Sequence, residues 1–268
     1  MAETLVQSLT IAGSDSGGGA GIQADLKTFQ MRSVFGTSVL TAVTAQNTLG
    51  VHGIHFVPTG IITAQIKALA DDFDIRAFKL GMLGTAEIIE CVADNLQNCR
   101  FGQMVLDPVM IAKGGASLLH NSAVEAMKKH LLPRTDVLTP NLPEAEALTG
   151  VRIDNRQDAE RAARLLQEAG VKHVVIKGGH LNNSQSEVCT DWLFTPDDVV
   201  EMESLRFPTL HTHGTGCTFS ACITAELAKG FAVEQAVQTA KDYITAAISQ
   251  PLNIGAGHGP VNHWAYKD

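Results

Sequence analysis

The strongest chemical signal in the sequence is a run of small residues that leads into an apolar helical pattern. The run reads His211-Thr212-His213-Gly214-Thr215-Gly216-Cys217-Thr218, and Thr218–Ala228 follows with the spacing of a helix. Backbone N–H groups at the start of a helix lack partners and lie at its positive dipole end, so they bind anions. The run therefore predicts an anion site over residues 214–217.

Cys217 falls inside this predicted anion site. A helix start lowers the pKa of a thiol, which would suit Cys217 to proton transfer. The alternative interpretation is that Cys217 is a small buried apolar residue, as most free cysteines are. His211 and His213 could bind a metal, although the glycine-rich setting favours packing of the loop or contact with a substrate.

A second glycine-rich stretch, Gly13–Gly21, follows the first predicted strand and leads into a helix. From residue 19 it fits the spacing Gly-x-Gly-x-x-Ala of dinucleotide-binding proteins, which need an acidic residue about twenty positions later for the ribose. No Asp or Glu occurs between Asp25 and Asp71, and no Gly-Lys-Ser/Thr triplet forms a Walker A loop. The stretch instead predicts a turn whose backbone approaches a small ligand closely.

Polar residues also stand at the ends of several predicted strands. Asp107 and the segment Asn141-Leu142-Pro143-Glu144 place two carboxylates and an amide there. These oxygen donors suit Mg²⁺ that is held partly by water and by phosphates. Lys177 adds a cation that could hold phosphate oxygens. Helix capping by Asn141 and Glu144, and an ordinary exposed lysine, are the alternative interpretations.

Two further positions could contact a ligand. Asp25 lies one turn into the predicted helix after Gly13–Gly21, where a carboxylate either complements the helix dipole or binds a ligand. Gln46 and Asn47 end an apolar strand. Their amides could pair with donor and acceptor groups of a heterocycle, or Asn47 could form a turn.

The pattern of the whole chain predicts a scaffold for these candidates. Short apolar runs alternate with helical patterns, which indicates an α/β fold with a mainly parallel sheet covered on both faces. Ligands bind outside the carboxyl ends of the strands in such sheets, where most candidates fall. No linker or repeat interrupts the pattern, so residues 1–268 are predicted to form a single domain. The predicted strands are Ser8–Ala12, Val39–Ala45, Ala77–Leu80, Met104–Asp107, Val137–Thr139 and His173–Lys177, with an antiparallel edge hairpin of Val188–Phe194 and Val199–Glu203. The predicted helices are Ala24–Arg32, Ala86–Leu96, Ala123–His130, Asp158–Ala169, Thr218–Ala228 and Val233–Ile248.

The composition of the chain indicates which binding partners and which cellular location are expected for the protein. The chain has 268 residues, of which 45% are hydrophobic, and its 20 Lys and Arg against 28 Asp and Glu give a net charge of −8. Such a surface repels a phosphate backbone, so no nucleic acid is expected as a partner. No apolar run approaches the ~20 residues that span a bilayer, so no membrane association is expected. The five cysteines form no disulfide or zinc pattern, which favours free thiols in the cytoplasm.

Taken in order, these motifs resemble one family. They are Gly-Ser-Asp with its glycine run, Asp-Pro-Val, Thr-Pro-Asn-Leu-Pro-Glu, Ile-Lys-Gly-Gly-His and His-Gly-Thr-Gly-Cys-Thr. From Ser8 to Trp264 the chain is similar to the ribokinase superfamily, and within it to the bacterial hydroxymethylpyrimidine/phosphomethylpyrimidine kinases of thiamine synthesis. The resemblance implies a three-layer α/β/α fold, usually a homodimer. It also implies an enzyme that uses ATP and Mg²⁺ to phosphorylate 4-amino-5-hydroxymethyl-2-methylpyrimidine and then the monophosphate.

The resemblance implies a role for each candidate. Gln46 would pair with the aminopyrimidine edge, and Asp25 would lie at the hydroxymethyl side. Cys217 stands where most of the superfamily has an aspartate base, and would polarise or deprotonate the attacking hydroxyl. The remaining implied contacts are Gly13, Met82 and Val109 around the ring, Lys177, Asp107 and Thr212 for the nucleotide, Asn141 and Glu144 for hydrated magnesium, and Gly214, Thr215 and Gly216 for the transferring phosphoryl group.

A sister branch that phosphorylates pyridoxal is the nearest alternative. That branch carries Met and Asp in the segment of Gln46, and a second cysteine in place of Ala112. An amide can donate and accept in the plane of an aminopyrimidine, whereas a thioether cannot. Gln46 and Ala112 therefore favour the pyrimidine branch. A vitamin-binding module without catalysis is disfavoured because it would need no magnesium site.

Overall fold

The computed structural model describes residues 5–110, 121–178 and 187–267, which fold into layers of helices around a central sheet. The strands are β1 (Gln7–Ala12), β2 (Phe35–Leu40), β3 (Ala42–Asn47), β4 (Gly50–Phe56), β5 (Ile75–Leu80), β6 (Gln103–Leu106), β7 (Val137–Leu138), β8 (His173–Lys177), β9 (Val188–Phe194) and β10 (Val199–Leu205). The helices are α1 (Gly21–Met31), α2 (Thr59–Ala70), α3 (Ala86–Leu96), α4 (Asn121–His130), α5 (Leu142–Thr149), α6 (Arg156–Glu168), α7 (Thr215–Ala228) and α8 (Val233–Ser249), with a 3₁₀ turn at Leu132–Arg134.

The central sheet has the strand order β10-β9-β8-β7-β6-β5-β1-β2 within the described ranges. From β2 to β8 each neighbouring pair is parallel, and β9 and β10 add an antiparallel hairpin at one edge. The carboxyl ends of the six parallel strands therefore meet at one edge of the sheet. The predictions of a mainly parallel sheet and of an antiparallel edge hairpin are confirmed.

Both faces of the sheet are covered by helices, because successive side chains of a strand point to opposite faces. Val174 and Ile176 of β8 pack into the core that α2 to α6 share, whereas Val175 packs into the core under α7 and α8. Phe29 of α1 packs beside α7. The molecule is thus a three-layer α/β/α fold, as predicted. No helix in the described ranges combines the length and apolar character needed to cross a membrane.

The predicted strand Val39–Ala45 is wrong as a single element. The chain leaves the central sheet after β2, and β3 pairs with β4 in a separate two-stranded antiparallel sheet. Thr41 marks the change of direction: its N–H donates to the carbonyl of Ala12 at 3.0 Å, and its own carbonyl accepts from Val57. Apolar periodicity is the same on both sides of such a bend, so the pattern shows one strand where tertiary contacts make two.

Candidate active site

A cavity of about 620 Å³ opens at the carboxyl edge of the parallel strands. The segments after β1, β5, β6 and β7, the last residue of β8 and the start of α7 line it. The β3–β4 hairpin adds Thr44, Gln46, Val51 and Ile54 to the wall. The candidate residues that line this one cavity are Gly13, Gln46, Met82, Asp107, Val109, Asn141, Glu144, Lys177, Thr212, Gly214, Thr215, Gly216 and Cys217.

The start of α7 has the geometry that the small-residue run predicts. Gly214 precedes the helix with φ 83°, and a side chain there would collide with the carbonyl oxygen of Gly19. In a helix that begins at Thr215, the N–H groups of Gly216 and Cys217 have no partner four residues earlier. A Cβ added at Gly216 would lie 3.5 Å from Lys177 Nζ, so the amide-rich helix start and this cation face the same space.

The expected lowering of the Cys217 pKa is wrong. Burial raises the pKa of the thiol to about 11, although the Lys79 ammonium and an N–H from Gly21 favour the thiolate. Desolvation disfavours a charged sulfur, and here it exceeds the helix-start effect that the sequence suggests. Cys217 is therefore a neutral thiol at neutral pH in the chain by itself.

Three candidates, Asn47, His211 and Asp25, do not line the cavity. Asp25 is the one among these three that is fully buried. Its carboxylate is completely buried, with Oδ1 2.6 Å from Lys79 Nζ and Oδ2 accepting from Thr10 Oγ1 at 2.7 Å. The alternative of a surface carboxylate is wrong, because Asp25 faces Lys79 and Thr10 in the interior. Its place at the hydroxymethyl side of the substrate stays a prediction. Lys79 does line the cavity and donates to the carbonyl of Cys217 at 3.3 Å. Asp25 therefore acts on the site through Lys79.

Sequence reasoning missed Lys79. Burial alone would lower the pKa of this lysine, but the Asp25 carboxylate raises it well above its ordinary value. The ammonium is thus a permanent positive charge beneath the start of α7. A signal was available in the sequence, since Lys79 stands inside the predicted apolar strand Ala77–Leu80. A lysine in such a strand is rarely fully buried unless it has a charged partner.

Asp107 and Lys177 form an ion pair at the ends of β6 and β8. Lys177 Nζ lies 3.3 Å from Asp107 Oδ1, and Ser220 Oγ donates to Oδ2 at 3.2 Å. Burial alone would raise the pKa of Asp107, but Lys177 and Lys79 together hold it below the usual range. Asp107 is therefore ionised, and it positions the amine of Lys177 beside the helix start.

Asn141 and Glu144 form a reciprocal cap at the start of α5. The Asn141 side chain accepts from the Glu144 N–H at 2.9 Å, and Glu144 Oε2 accepts from the Asn141 N–H at 2.8 Å. The alternative interpretation, that Asn141 and Glu144 cap a helix, is thus confirmed. Both side chains also line the cavity. Burial raises the pKa of Glu144 to about 6, with Lys177 opposing the rise.

The donor set fits a hydrated magnesium ion better than a metal held by the protein alone. Within the described ranges, no three His, Cys, Asp or Glu residues come together as a metal site. Asp107 and Glu144 instead offer two carboxylates on one cavity wall. Mg²⁺ commonly takes one or two carboxylates, several waters and the phosphates of a substrate, which is what these two residues could complete.

Asp15 is a second residue that sequence reasoning missed. Its buried carboxylate accepts from the N–H groups of Gly17, Gly19 and Ala20 at 2.8–2.9 Å, and from His213 Nε2 at 2.9 Å. Burial alone would raise its pKa, but these donors lower it below the ordinary value. Asp15 ties the glycine-rich loop after β1 to the segment before α7. An acid within a glycine-rich run was the available signal.

Three residues of the sequence motifs lie outside the described ranges. They are Gly179 and His180 of the motif that begins at Lys177, and Ala112, which distinguishes the two branches of the resembled family.

The fold and the site together define a class. A parallel α/β sheet carries unpartnered helix-start amides, two lysines and two carboxylates around one cavity, which is a set of groups that positions phosphates and neutralises their charge. The protein is a phosphotransferase of the α/β/α kinase type.

Comparison with known proteins names the family. Residues 15–262 match the phosphomethylpyrimidine kinase family model, and the chain belongs to that family. It is 66% identical over 262 residues to the hydroxymethylpyrimidine/phosphomethylpyrimidine kinase of Haemophilus influenzae, covering 97% of each chain. It is 50% identical to the Bacillus subtilis kinase of the same name, covering 98% of this chain and 97% of that one. The resemblance drawn from the motifs is confirmed, and so is the prediction that the chain is a kinase.

Solved structures agree with the fold. The pyridoxal kinase of Staphylococcus aureus in complex with ADP superposes with a TM-score of 0.90 at 36% identity, covering 98% of this chain and 95% of that one. A phosphomethylpyrimidine kinase from Clostridium difficile superposes with a TM-score of 0.81 at 42% identity, covering 91% of this chain and 99% of that one.

Proposed function

We propose that the protein transfers a phosphoryl group from ATP to the hydroxymethyl oxygen of 4-amino-5-hydroxymethyl-2-methylpyrimidine, and a second one to the resulting monophosphate, in thiamine biosynthesis. The names of its relatives support this substrate, and one relative, 48% identical, is called a thiamine biosynthesis bifunctional protein. The ADP complex of a pyridoxal kinase with the same fold supports a nucleotide as donor.

One observation carries the proposal: a group suited to a flat heterocycle and a group suited to phosphate face the same cavity. Gln46 lies on the hairpin wall, and Met82 and Val109 give the same cavity apolar surfaces. The start of α7 and Lys177 also line this cavity. An oxygen of a bound ring could therefore meet a nucleotide phosphate within one enclosed volume.

The reaction then needs positioning and charge neutralisation. The hydroxymethyl oxygen forms a bond to the γ-phosphorus, the bond from that phosphorus to the bridging oxygen of ATP breaks, and ADP leaves. Cys217 takes the hydroxyl proton in the fraction of the enzyme that carries it as a thiolate, which is small at neutral pH because burial raises the pKa of the thiol to about 11. Lys177 and the amides of Gly216 and Cys217, at the helix start that Gly214 and Thr215 form, hold the negative oxygens, and Thr212 borders them, since such groups stabilise phosphoryl transfer without covalent chemistry.

Magnesium would be held by Asp107 and Glu144 through its water shell, with the Asn141 amide beside them. When bound, the ion would neutralise phosphate charge. The protein's own part is to keep these oxygens in place, which the cap between Asn141 and Glu144 and the ion pair between Asp107 and Lys177 achieve.

Pyridoxal phosphorylation is the second candidate function, because pyridoxal kinases superpose on this chain with a TM-score of 0.90. Gln46 favours the pyrimidine, because an amide pairs with an aminopyrimidine in its plane. Release of ADP should be measured with each substrate in turn. Turnover of pyridoxal but not of the pyrimidine would overturn the proposal.

Gln46→Met sharpens this test. We expect kcat/KM for the pyrimidine to fall by roughly tenfold or more, because one hydrogen-bonded pair is worth about 1–2 kcal/mol. The kcat/KM for pyridoxal should rise relative to the kcat/KM for the pyrimidine. Asn47→Met is the matched control, since Asn47 is the exposed neighbour on the same strand. Equal losses on both substrates would contradict the role of Gln46.

We also propose a cytoplasmic homodimer. The five free thiols suit a reducing compartment. Exposed apolar side chains on and next to the β3–β4 hairpin suit a second copy of the chain, because isolated monomers rarely expose several together. They are Val43, Leu49, Phe56 and Ile61.

A further inference from the structure

We propose that His213 fixes the orientation of the Gln46 amide and so decides which hydrogen-bonding edge of a heterocycle the cavity accepts. The inference rests on the proposed function, in which Gln46 contacts the ring. Three side chains meet at one imidazole nitrogen. Nε2 of His213 lies 2.9 Å from Oδ2 of Asp15 and 3.1 Å from the amide Nε2 of Gln46.

Asp15 determines which nitrogen of His213 carries the proton. An ionised carboxylate only accepts hydrogen bonds. The Asp15 carboxylate is 2% exposed and is held by backbone N–H groups of Gly17, Gly19 and Ala20. At 2.9 Å from this anion, Nε2 must present a proton rather than a lone pair. His213 therefore donates from Nε2 to Asp15.

The protonated nitrogen in turn determines how Gln46 lies. A ring N–H has no lone pair, so it cannot accept from the amide –NH₂ group of Gln46. The Gln46 atom placed 3.1 Å from this nitrogen is the amide nitrogen. Two donors cannot hydrogen-bond each other, so we assign the amide oxygen to that position, with Nε2–H shared between Asp15 and Gln46. The –NH₂ group then points away from His213, and the amide oxygen keeps a second lone pair. Gln46 consequently offers one donor and one acceptor in a fixed order.

The imidazole is itself held in place. A Cβ added at Gly19 would lie 2.6 Å from Cδ2 of His213 and 3.1 Å from Cβ of Pro260, so the ring packs directly on the glycine loop. The backbone N–H of His213 donates to the Gly259 carbonyl at 3.0 Å, and its carbonyl accepts from Val261 at 3.2 Å. The ring is not free to turn away from Gln46.

The Gln46 backbone is fixed as well. Ser16 Oγ donates to the Gln46 carbonyl at 2.6 Å and lies 2.8 Å from its N–H. The amide is therefore anchored at both ends, by Ser16 on the main chain and by His213 at the tip.

A Gln46 amide that is fixed in one orientation discriminates between two kinds of heterocyclic ring. A 4-aminopyrimidine presents a ring nitrogen acceptor next to an amino donor, which complements an amide held in one order. A 4-oxo analogue presents an N–H donor next to an oxygen acceptor. It would require the Gln46 amide to flip and point its –NH₂ group at the protonated Nε2 of His213. His213 is thus a positioning residue that rejects the 4-oxo ring.

The test compares kcat/KM for the 4-amino pyrimidine with that for its 4-oxo analogue in the wild type, in His213→Leu and in His213→Gln. Leucine removes the donor and frees the amide, whereas glutamine keeps an N–H group between Asp15 and Gln46. We expect the ratio of amino to oxo to fall tenfold or more in His213→Leu and to stay within threefold in His213→Gln. An unaltered ratio in His213→Leu would overturn the inference.

A second measurement needs no variant and no substrate. Nitrogen–proton correlation spectra of the wild-type histidine side chains report the tautomer of each ring, and we expect the Nε2–H form for His213. The Nδ1–H form would overturn the inference. A wild type that phosphorylates neither pyrimidine would overturn the proposed function, and the spectrum would still decide the tautomer.

Discussion

At the scale of single residues, burial decides the chemistry of this site more than local sequence does. A helix start favours a thiolate, yet desolvation raises the pKa of Cys217 to about 11. The same desolvation is overcome at Asp107, because Lys177 and Lys79 stand beside it. Each group therefore takes the charge that its three-dimensional neighbours allow.

Replacing Cys217 by alanine should lower kcat by roughly 10²–10⁴-fold, the range for loss of a general base, and change the KM for the pyrimidine by less than about threefold. With a pKa of about 11, the thiolate fraction rises about tenfold per pH unit below that value. The kcat/KM of the wild type should therefore increase from pH 7 to 10, and that of Cys217→Ala should not.

Cys189→Ala is the control, because it also removes a partly buried thiol but lies on β9 rather than in the cavity. Full activity of Cys217→Ala would show that another group takes the proton.

Titration of the Glu144 carboxylate should make the enzyme's requirement for Mg²⁺ depend on pH. Burial raises its pKa to about 6, so the carboxylate loses its charge as the pH falls through 6. The Mg²⁺ concentration for half-maximal rate should be higher at pH 5.5 than at pH 7.5 in the wild type. In Glu144→Gln it should be high at both values, since glutamine keeps the cap on Asn141 without the charge. Glu146→Gln on the same helix is the control, and a Glu144→Gln enzyme with wild-type behaviour would contradict the assignment.

At the scale of elements, helix ends hold the site in place, and α5 shows how. Its start carries the cap of Asn141 and Glu144, and its end is Gly150 in the left-handed conformation at φ 74°. That conformation costs a residue with a Cβ about 1–2 kcal/mol. The helix that presents Glu144 is thus closed by a conformation that favours glycine.

Gly150→Ala should lower the free energy of unfolding by about 1 kcal/mol. Gly60→Ala, in the first turn of α2, is a matched control because a Cβ at either position meets nothing within 4 Å. Gly60 has no left-handed backbone to strain, so alanine there should raise the same free energy by up to about 1 kcal/mol. Urea unfolding of both variants measures the difference, and equal effects would contradict the conformational explanation.

At the scale of the whole molecule, the β3–β4 hairpin belongs to two surfaces. One side supplies Gln46 to the cavity, and the other exposes Val43 and Leu49. If a second chain covers that exposed side, the wall of the active site is supported by the dimer.

Light scattering after gel filtration should therefore give twice the 28.5 kDa of one chain. Val43→Glu together with Leu49→Glu should shift the species to one chain, because each buries a charge in the proposed contact. Leu210→Glu is the control, as its side chain is 67% exposed, close to the 69% of Leu49. A wild type that elutes as one chain would contradict the dimer.

Most of the framework followed from the sequence. The strand β8, the hairpin of β9 and β10, and the helices α3 and α8 were predicted to within a residue or two, because period and turn residues are local properties. The sequence did not predict β4, whose residues are mostly exposed, or α2, in which Ile62 and Ile66 are buried but Ile61 is exposed, so that the apolar residues do not form one clear face.

What the sequence determined by itself is the alternation of strands and helices, the placement of polar residues at strand ends, and the glycine-rich start of α7. These depend on neighbours a few positions apart. The tertiary structure alone decided which distant side chains pair with each other. Lys79 contacts Asp25, which is 54 positions away in the sequence, and His213 contacts Asp15, which is 198 positions away. It also decided the pKa of Cys217, since desolvation depends on everything packed around an atom, and no local pattern of residues records that.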